Sequence, residues 1–230
     1  LLWAIYRGYT ETVLNLINKG ANINIQDEDG QTALQIAILQ NNKEIAIALI
    51  DKGANLDIQN NYGETPLHLA VDKGLTYITL ALIEKGANLD VKNRKGNTPL
   101  HWAIRYNRTE ITHFLIEKGA NINVKNEYGD TPLHLACIKE SIEISHFLIE
   151  KDADINVENK DGDTPLHLAI GYDINEIALT LIDKGANLDI QGKHGHTPLH
   201  LTCIKESIEI THFLIEKGAN INVKNEYGDT

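Results

Sequence analysis

Gly63-Glu64-Thr65-Pro66-Leu67-His68-Leu69-Ala70 is the stretch on which the fold turns. Thr65 is placed to cap a helix whose first position is Pro66, where a missing N–H costs nothing and a fixed φ helps. Leu67, Ala70 and Val71 follow at spacings of three and four, one face of a short helix. Ahead of it, Asn61-Tyr62-Gly63 has turn chemistry. Behind it, Ile78, Ala81 and Leu82 mark a second helical face that runs to Glu84-Lys85-Gly86, with Gly86 suited to the left-handed position that ends helices. Asn88-Leu89-Asp90-Val91 then alternates polar and apolar, which predicts an extended arm into the next turn.

The whole unit recurs. Thr32, Thr65, Thr98, Thr131, Thr164 and Thr197 are each 33 residues apart, and Thr230 falls on the same grid. Five anchors read Thr-Pro-Leu-His, ending at His68, His101, His134, His167 and His200, and these hold all 5 prolines of the chain. At Thr32 the slot reads Thr-Ala-Leu-Gln, so a looser first turn is expected there. A fixed period of this length means a repeat array. Two helices of about eight residues each fall short of the roughly 12–15 needed for independent stability in water, so each must bury its face against neighbours.

Run together, Gly63-x-Thr65-Pro66-Leu67-His68-Leu69-Ala70 and Leu82-Ile83-x-x-Gly86-Ala87-Asn88 resemble the ankyrin repeat, and the likeness covers essentially the whole chain. The resemblance implies an all-α solenoid of helix-turn-helix units. β-hairpin-like fingers would project from it beside a concave groove lined by finger tips and first helices. The expected organisation is one array over 1–230: a partial unit over 1–26, six full units, and a truncated finger over 224–230. Leu1-Leu2-Trp3-Ala4 falls in register with Leu67-His68-Leu69-Ala70, so both ends lie inside a repeat. With no methionine and no signal peptide, this predicts a segment of a longer protein.

Some units depart from the pattern. Asp152 stands where Gly53, Gly86, Gly119, Gly185 and Gly218 end the other second helices, and a positive φ there costs Asp on the order of 1 kcal/mol. Gly192 replaces the Asn or Asp that opens the other fingers. Glu110 through Thr131 recurs letter for letter as Glu209 through Thr230, and Leu49 through Gln59 as Leu181 through Gln191, a mark of segment duplication.

Bulk properties exclude several function classes. With 21 basic and 32 acidic side chains, the net charge is −11, and no continuous basic stripe could neutralise phosphates, which argues against nucleic acid. No apolar run spans a bilayer. Cys137 and Cys203 share a slot two units apart, on the order of 20 Å at helix-packing spacing, beyond disulfide reach. Both are expected to be small buried hydrophobes, and disulfide-free chemistry points to a reducing, cytoplasmic location, or to host cytoplasm if this is a secreted bacterial effector.

Catalysis and metal binding find little support. The resemblance assigns the motif histidines to bracing the helix turn and the adjacent finger, and His113, His146 and His212 simply share a second-helix slot. His194, His196, His200 and Cys203 fall within ten residues, yet their spacing fits no standard zinc pattern and His200 is committed by the motif. Asp27/Asp29 and Asp161/Asp163 read as solvated turns. There is no glycine-rich phosphate loop and no Gly-x-Ser-x-Gly elbow. No cofactor is expected, and no enzyme.

Binding residues should vary between units and face the groove. Tyr62, Tyr128 and Tyr227 fall on finger tips, while Tyr6, Tyr106 and Tyr172 end first helices. Tyrosine offers a large rigid surface and a polar end at low entropic cost. The partner-binding set expected is therefore Tyr6, Tyr62, Arg94, Lys95, Arg105, Tyr106, Tyr128, Lys139 and Tyr172. Lys92 to Arg108 is basic enough for an acidic peptide, whereas Glu127 and Asp130 suit a basic one. The expected function is a monomeric scaffold that binds a partner protein or peptide on its concave face. The alternative is a substrate-recruiting arm of a larger enzyme or effector, and a spacer role is a third reading.

Overall fold

The computed structural model describes residues 1–230, which form 14 α-helices in stacked repeats. They divide into two compact units, Leu1–Asn121 and Ile122–Thr230. The first holds α1 (Leu2–Tyr6), α2 (Thr10–Asn18), α3 (Ala33–Leu39), α4 (Lys43–Asp51), α5 (Pro66–Asp72), α6 (Thr76–Glu84), α7 (Pro99–Arg105) and α8 (Thr109–Glu117). The second holds α9 (Pro132–Ile138), α10 (Ile142–Glu150), α11 (Pro165–Gly171), α12 (Asn175–Asp183), α13 (Pro198–Ile204) and α14 (Ile208–Glu216).

Within each unit the chain pairs a short helix, seven residues except for the five of α1, with a nine-residue one, and like packs beside like. In the first unit α1, α3, α5 and α7 lie side by side, as do α2, α4, α6 and α8. Leu34, Leu67 and Leu100 form one fully buried row and Leu49, Leu82 and Leu115 another. Burying a leucine contributes roughly 1.5–3 kcal/mol, so these rows stabilise helices too short to persist alone. The second unit repeats the arrangement with Leu133 and Leu166, and with Leu148, Leu181 and Leu214.

The threonine caps form as the spacing predicts. Thr65 Oγ1 accepts from the His68 amide, while His68 Nδ1 accepts from the Thr65 amide, a reciprocal capping box repeated at Thr131 and Thr197. The expected looseness at Thr32 is not found. Gln35 Oε1 takes the Thr32 amide at 2.8 Å and Gln35 Nε2 donates to Ile58 O and Glu64 O, so a neutral amide side chain reproduces the histidine's bonds.

The arms between repeats differ from the extended run predicted. Asn88 Oδ1 accepts from the Asp90 amide at 3.0 Å, which folds Asn88 to Asp90 into a side-chain-closed turn, and Asn55 does the same for Asp57. Alternation misleads here because the polar residues bond their own backbone rather than a neighbouring strand. The same side chains link repeats: the Asn55, Asn88 and Asn121 amides donate to Asn24, Asp57 and Asp90. The fingers are turns without a ladder, and the one antiparallel bridge joins Gln26 and Thr32.

Candidate partner-binding site

In the first unit, neighbouring fingers are held in register by backbone bonds, with the Arg94 amide donating to Tyr62 O at 3.0 Å and the Asn61 amide to Asp29 O at 3.0 Å. Each finger is closed by its first Asn: Asn60 Oδ1 accepts from the Tyr62 and Glu64 amides, and Asn93 Oδ1 from those of Lys95 and Asn97. The turn thereby aims Tyr62, Arg94 and Lys95 outward from a fixed backbone.

Between these tips and α7 lies a cavity of about 250 Å³, lined by Tyr62, Glu64, Asn93, Arg94, Lys95, Asn97, Trp102, Arg105 and Tyr106. Five residues expected from sequence, Tyr62, Arg94, Lys95, Arg105 and Tyr106, are brought together there. Trp102 and Tyr106 meet edge to face with ring centroids 5.9 Å apart, and Trp102 stands likewise against the buried His68 ring at 5.8 Å. Partial burial first, and then the charge of Asp72, raise the Tyr106 hydroxyl above its ordinary pKa. No ion pair engages Arg94, Lys95 or Arg105.

Sequence reading missed Trp102. It occupies the slot filled by Leu69, Leu135, Leu168 and Leu201 in other units, half-buried at all but Leu69, and the substitution of an indole for a repeated leucine was the available signal.

The remaining predicted residues lie elsewhere. Tyr6 donates from its hydroxyl to Asp27 Oδ2 at 2.5 Å, and that bond, ahead of burial, pushes its pKa up to about 12. In the second unit Tyr128 and Tyr172 line a cavity of about 330 Å³ with Asp130, Asn159, Lys160, Asp161, Asp163, Leu168 and Lys193. Lys139 is exposed at the end of α9 and does not line it.

The histidine cluster near the C-terminus is occupied by structural bonds. His200 Nδ1 meets Thr197 Oγ1 at 2.8 Å while its Nε2 donates to Asp229 O at 3.1 Å. His194, His196 and Tyr227 form a loose aromatic group, and no three His, Cys, Asp or Glu side chains converge as metal ligands. Cys203 departs from expectation: Cys137 is fully buried where α11 packs against α9, whereas Cys203, on α13 in the last helix pair described, is exposed.

The family description "Ankyrin repeats (3 copies)" matches residues 1–93, 78–159 and 153–225, essentially end to end. This chain belongs to the ankyrin-repeat family. The structure is similar to the crystal structure of the ankyrin repeat domain of Bcl-3, a unique member of the IkappaB protein family. That match has 32% sequence identity, covers 88% of this chain and 93% of the other, and has a TM-score of 0.77. No curated protein sequence gives a match. Ankyrin repeats generally mediate protein–protein interaction and are typically non-catalytic. No helix of this ankyrin chain is long and apolar enough to cross a membrane.

Proposed function

We propose that this ankyrin array is a protein-interaction scaffold that grips a partner protein or peptide with its finger tips and first helices, the concave side of such arrays. The observation that carries the reading is the convergence of Tyr62, Arg94, Lys95, Arg105 and Tyr106 on one cavity. Their positions are set by backbone bonds between fingers and by the capped α7, so little conformational entropy is lost on association. Exposed aromatic rings flanked by cations are the composition of interface anchors. The protein acts as a monomer in the cytoplasm, without cofactor or nucleic acid.

The test is affinity capture with the 230-residue chain beside a variant carrying Tyr→Ala at Tyr62, Tyr106, Tyr128 and Tyr172. All four side chains are exposed, so the variant keeps the native circular dichroism. A partner retained by the parent and lost by the variant supports the reading. Identical captured proteins overturn it and favour the array as a spacer.

A further inference from the structure

The two tyrosine-walled cavities are the same construction displaced by two repeats. Tyr62, Glu64, Asn93, Arg94, Lys95, Asn97, Trp102 and Tyr106 correspond to Tyr128, Asp130, Asn159, Lys160, Asp161, Asp163, Leu168 and Tyr172, each 66 residues further on. The walls are kept and the charge is not. In the first cavity Arg94, Lys95 and Arg105 face one carboxylate, Glu64. In the second, Lys160 and Lys193 face Asp130, Asp161 and Asp163, with Lys193 Nζ 3.7 Å from Asp161.

The state of these charges matters as much as their sign. In the second cavity the carboxylates are already used: Asp163 Oδ1 accepts from the Lys193 amide at 3.0 Å and Asp130 Oδ1 from Asn159 Nδ2 at 2.9 Å. In the first, the three cations make no ion pair, and Glu64 is turned to Asn60 Nδ2 at 3.1 Å. Asp72, the other nearby carboxylate, lies 4.0 Å from Lys73 Nζ. Three unpaired cations beside exposed aromatic faces, in a chain of net charge −11, are a local attraction for anions that the rest of the surface opposes.

We infer that the Tyr62–Tyr106 cavity selects an acidic peptide segment of the partner, seating its Asp or Glu carboxylates among Arg94, Lys95 and Arg105, while the Tyr128–Tyr172 cavity does not. Arg94 and Arg105 offer planar forks that suit a carboxylate, and Trp102 and Tyr106 supply the apolar floor for its neighbouring side chain. This rests on the interaction reading above and assigns the chemistry of the partner.

Trp102 gives a direct readout. The chain has two tryptophans, Trp3 and Trp102, and only Trp102 lines the cavity. In the full chain carrying Trp3→Phe, a synthetic Gly-Ser peptide with a central Glu-Asp run should change Trp102 emission saturably with Kd below about 1 mM, weakening as salt is raised. Lys95→Asp installs the residue of the second cavity and should weaken binding about tenfold or more, while strengthening that of the Lys counterpart of the peptide. No saturable change overturns the inference, as does equal response to the Lys peptide, to inorganic phosphate or in Lys95→Asp. If the tyrosine variant loses its partner while the acidic peptide fails here, the interaction reading stands and the acidic selectivity falls.

Discussion

The Nε2 of His68 donates to the backbone carbonyl of Asn97, 29 residues further along, at 3.1 Å. Its Nδ1 is an acceptor, taking the Thr65 amide at 3.2 Å and lying 2.9 Å from Thr65 Oγ1. The ring thus cements its own helix cap and the next finger, and it must be neutral, since a second ring proton would face the Thr65 N–H. Burial, the largest cause, drives its pKa down to about 4, and His134 and His167 are lowered for the same reason. A depressed histidine means that the unfolded chain binds the proton first. Stability is therefore whole above pH 6.5 and declines as pH falls from 6.5 towards 4, by on the order of 3 kcal/mol for His68 alone. Gln35 already makes these bonds at the equivalent position. In urea unfolding, His68→Gln should match the parent within about 1 kcal/mol at pH 7.5 and lose less stability than the parent at pH 5. Equal losses in both would remove His68 as the titrating group.

A second left-handed backbone position recurs in every repeat, at the end of the first helix: Gly8, Asn41, Gly74, Asn107, Glu140, Asp173 and Glu206 all have positive φ. Asp152, at φ 60, marks the joint expected from its neighbours' glycines. Glu140 at φ 53 and Glu206 at φ 55 carry a strain that Gly would relieve. Asp152→Gly and Glu140→Gly should each stabilise the protein by about 0.5–1 kcal/mol, after the entropy that Gly adds to the unfolded chain. The urea midpoint measures it; a lowered midpoint would mean that these side chains make bonds outweighing the strain.

Cys137 and Cys203 occupy the same slot two repeats apart, and their burial separates them chemically. Burial pushes the Cys137 thiol up to about 12, whereas Cys203 is open to solvent. Only the thiolate reacts. Native protein should titrate one thiol rapidly with a chromogenic disulfide and the second only on unfolding, and Cys203→Ser should abolish the fast phase. Two fast thiols would mean that α11 and α12 open readily over α9 and α10.

Most of the fold was written in the period, because Thr65, Pro66, Leu67 and Gly86 each do one local job that repeats every 33 residues. What repeats by geometry alone was harder to read. The left-handed position after the first helix is held by Gly, Asn, Glu and Asp in turn, so no single letter marks it. Exposure near the C-terminus was likewise invisible: Ile149 is 5% exposed and Ile215 49% in nearly identical helices, since burial depends on which neighbouring helices pack on each, α9 and α12 on α10 but α12 and α13 on α14. At the cavity, tyrosine and arginine stood out because they vary on a constant background, whereas Trp102 sat in a slot that other repeats fill with leucine, and Asp72, whose charge acts on Tyr106, on a helix end.

Gly63 is where the repeat's backbone and the candidate site meet. Its φ is +77, and a Cβ there would lie 2.8 Å from the Arg94 amide nitrogen, the group that donates to Tyr62 O. Gly53 has nearly the same φ, +78, but nothing lies within 4 Å of its Cβ position. Gly53→Ala therefore carries only the left-handed penalty, about 1–2 kcal/mol, whereas Gly63→Ala adds the displacement of the neighbouring finger and should cost roughly 3 kcal/mol. The Arg94 amide should exchange its hydrogen faster in Gly63→Ala and not in Gly53→Ala, because only the first pushes the two fingers apart. If both variants lose the same stability and leave that amide equally protected, the fingers slide without resistance. The Tyr62, Arg94 and Lys95 tips would then not be held in place by their backbone.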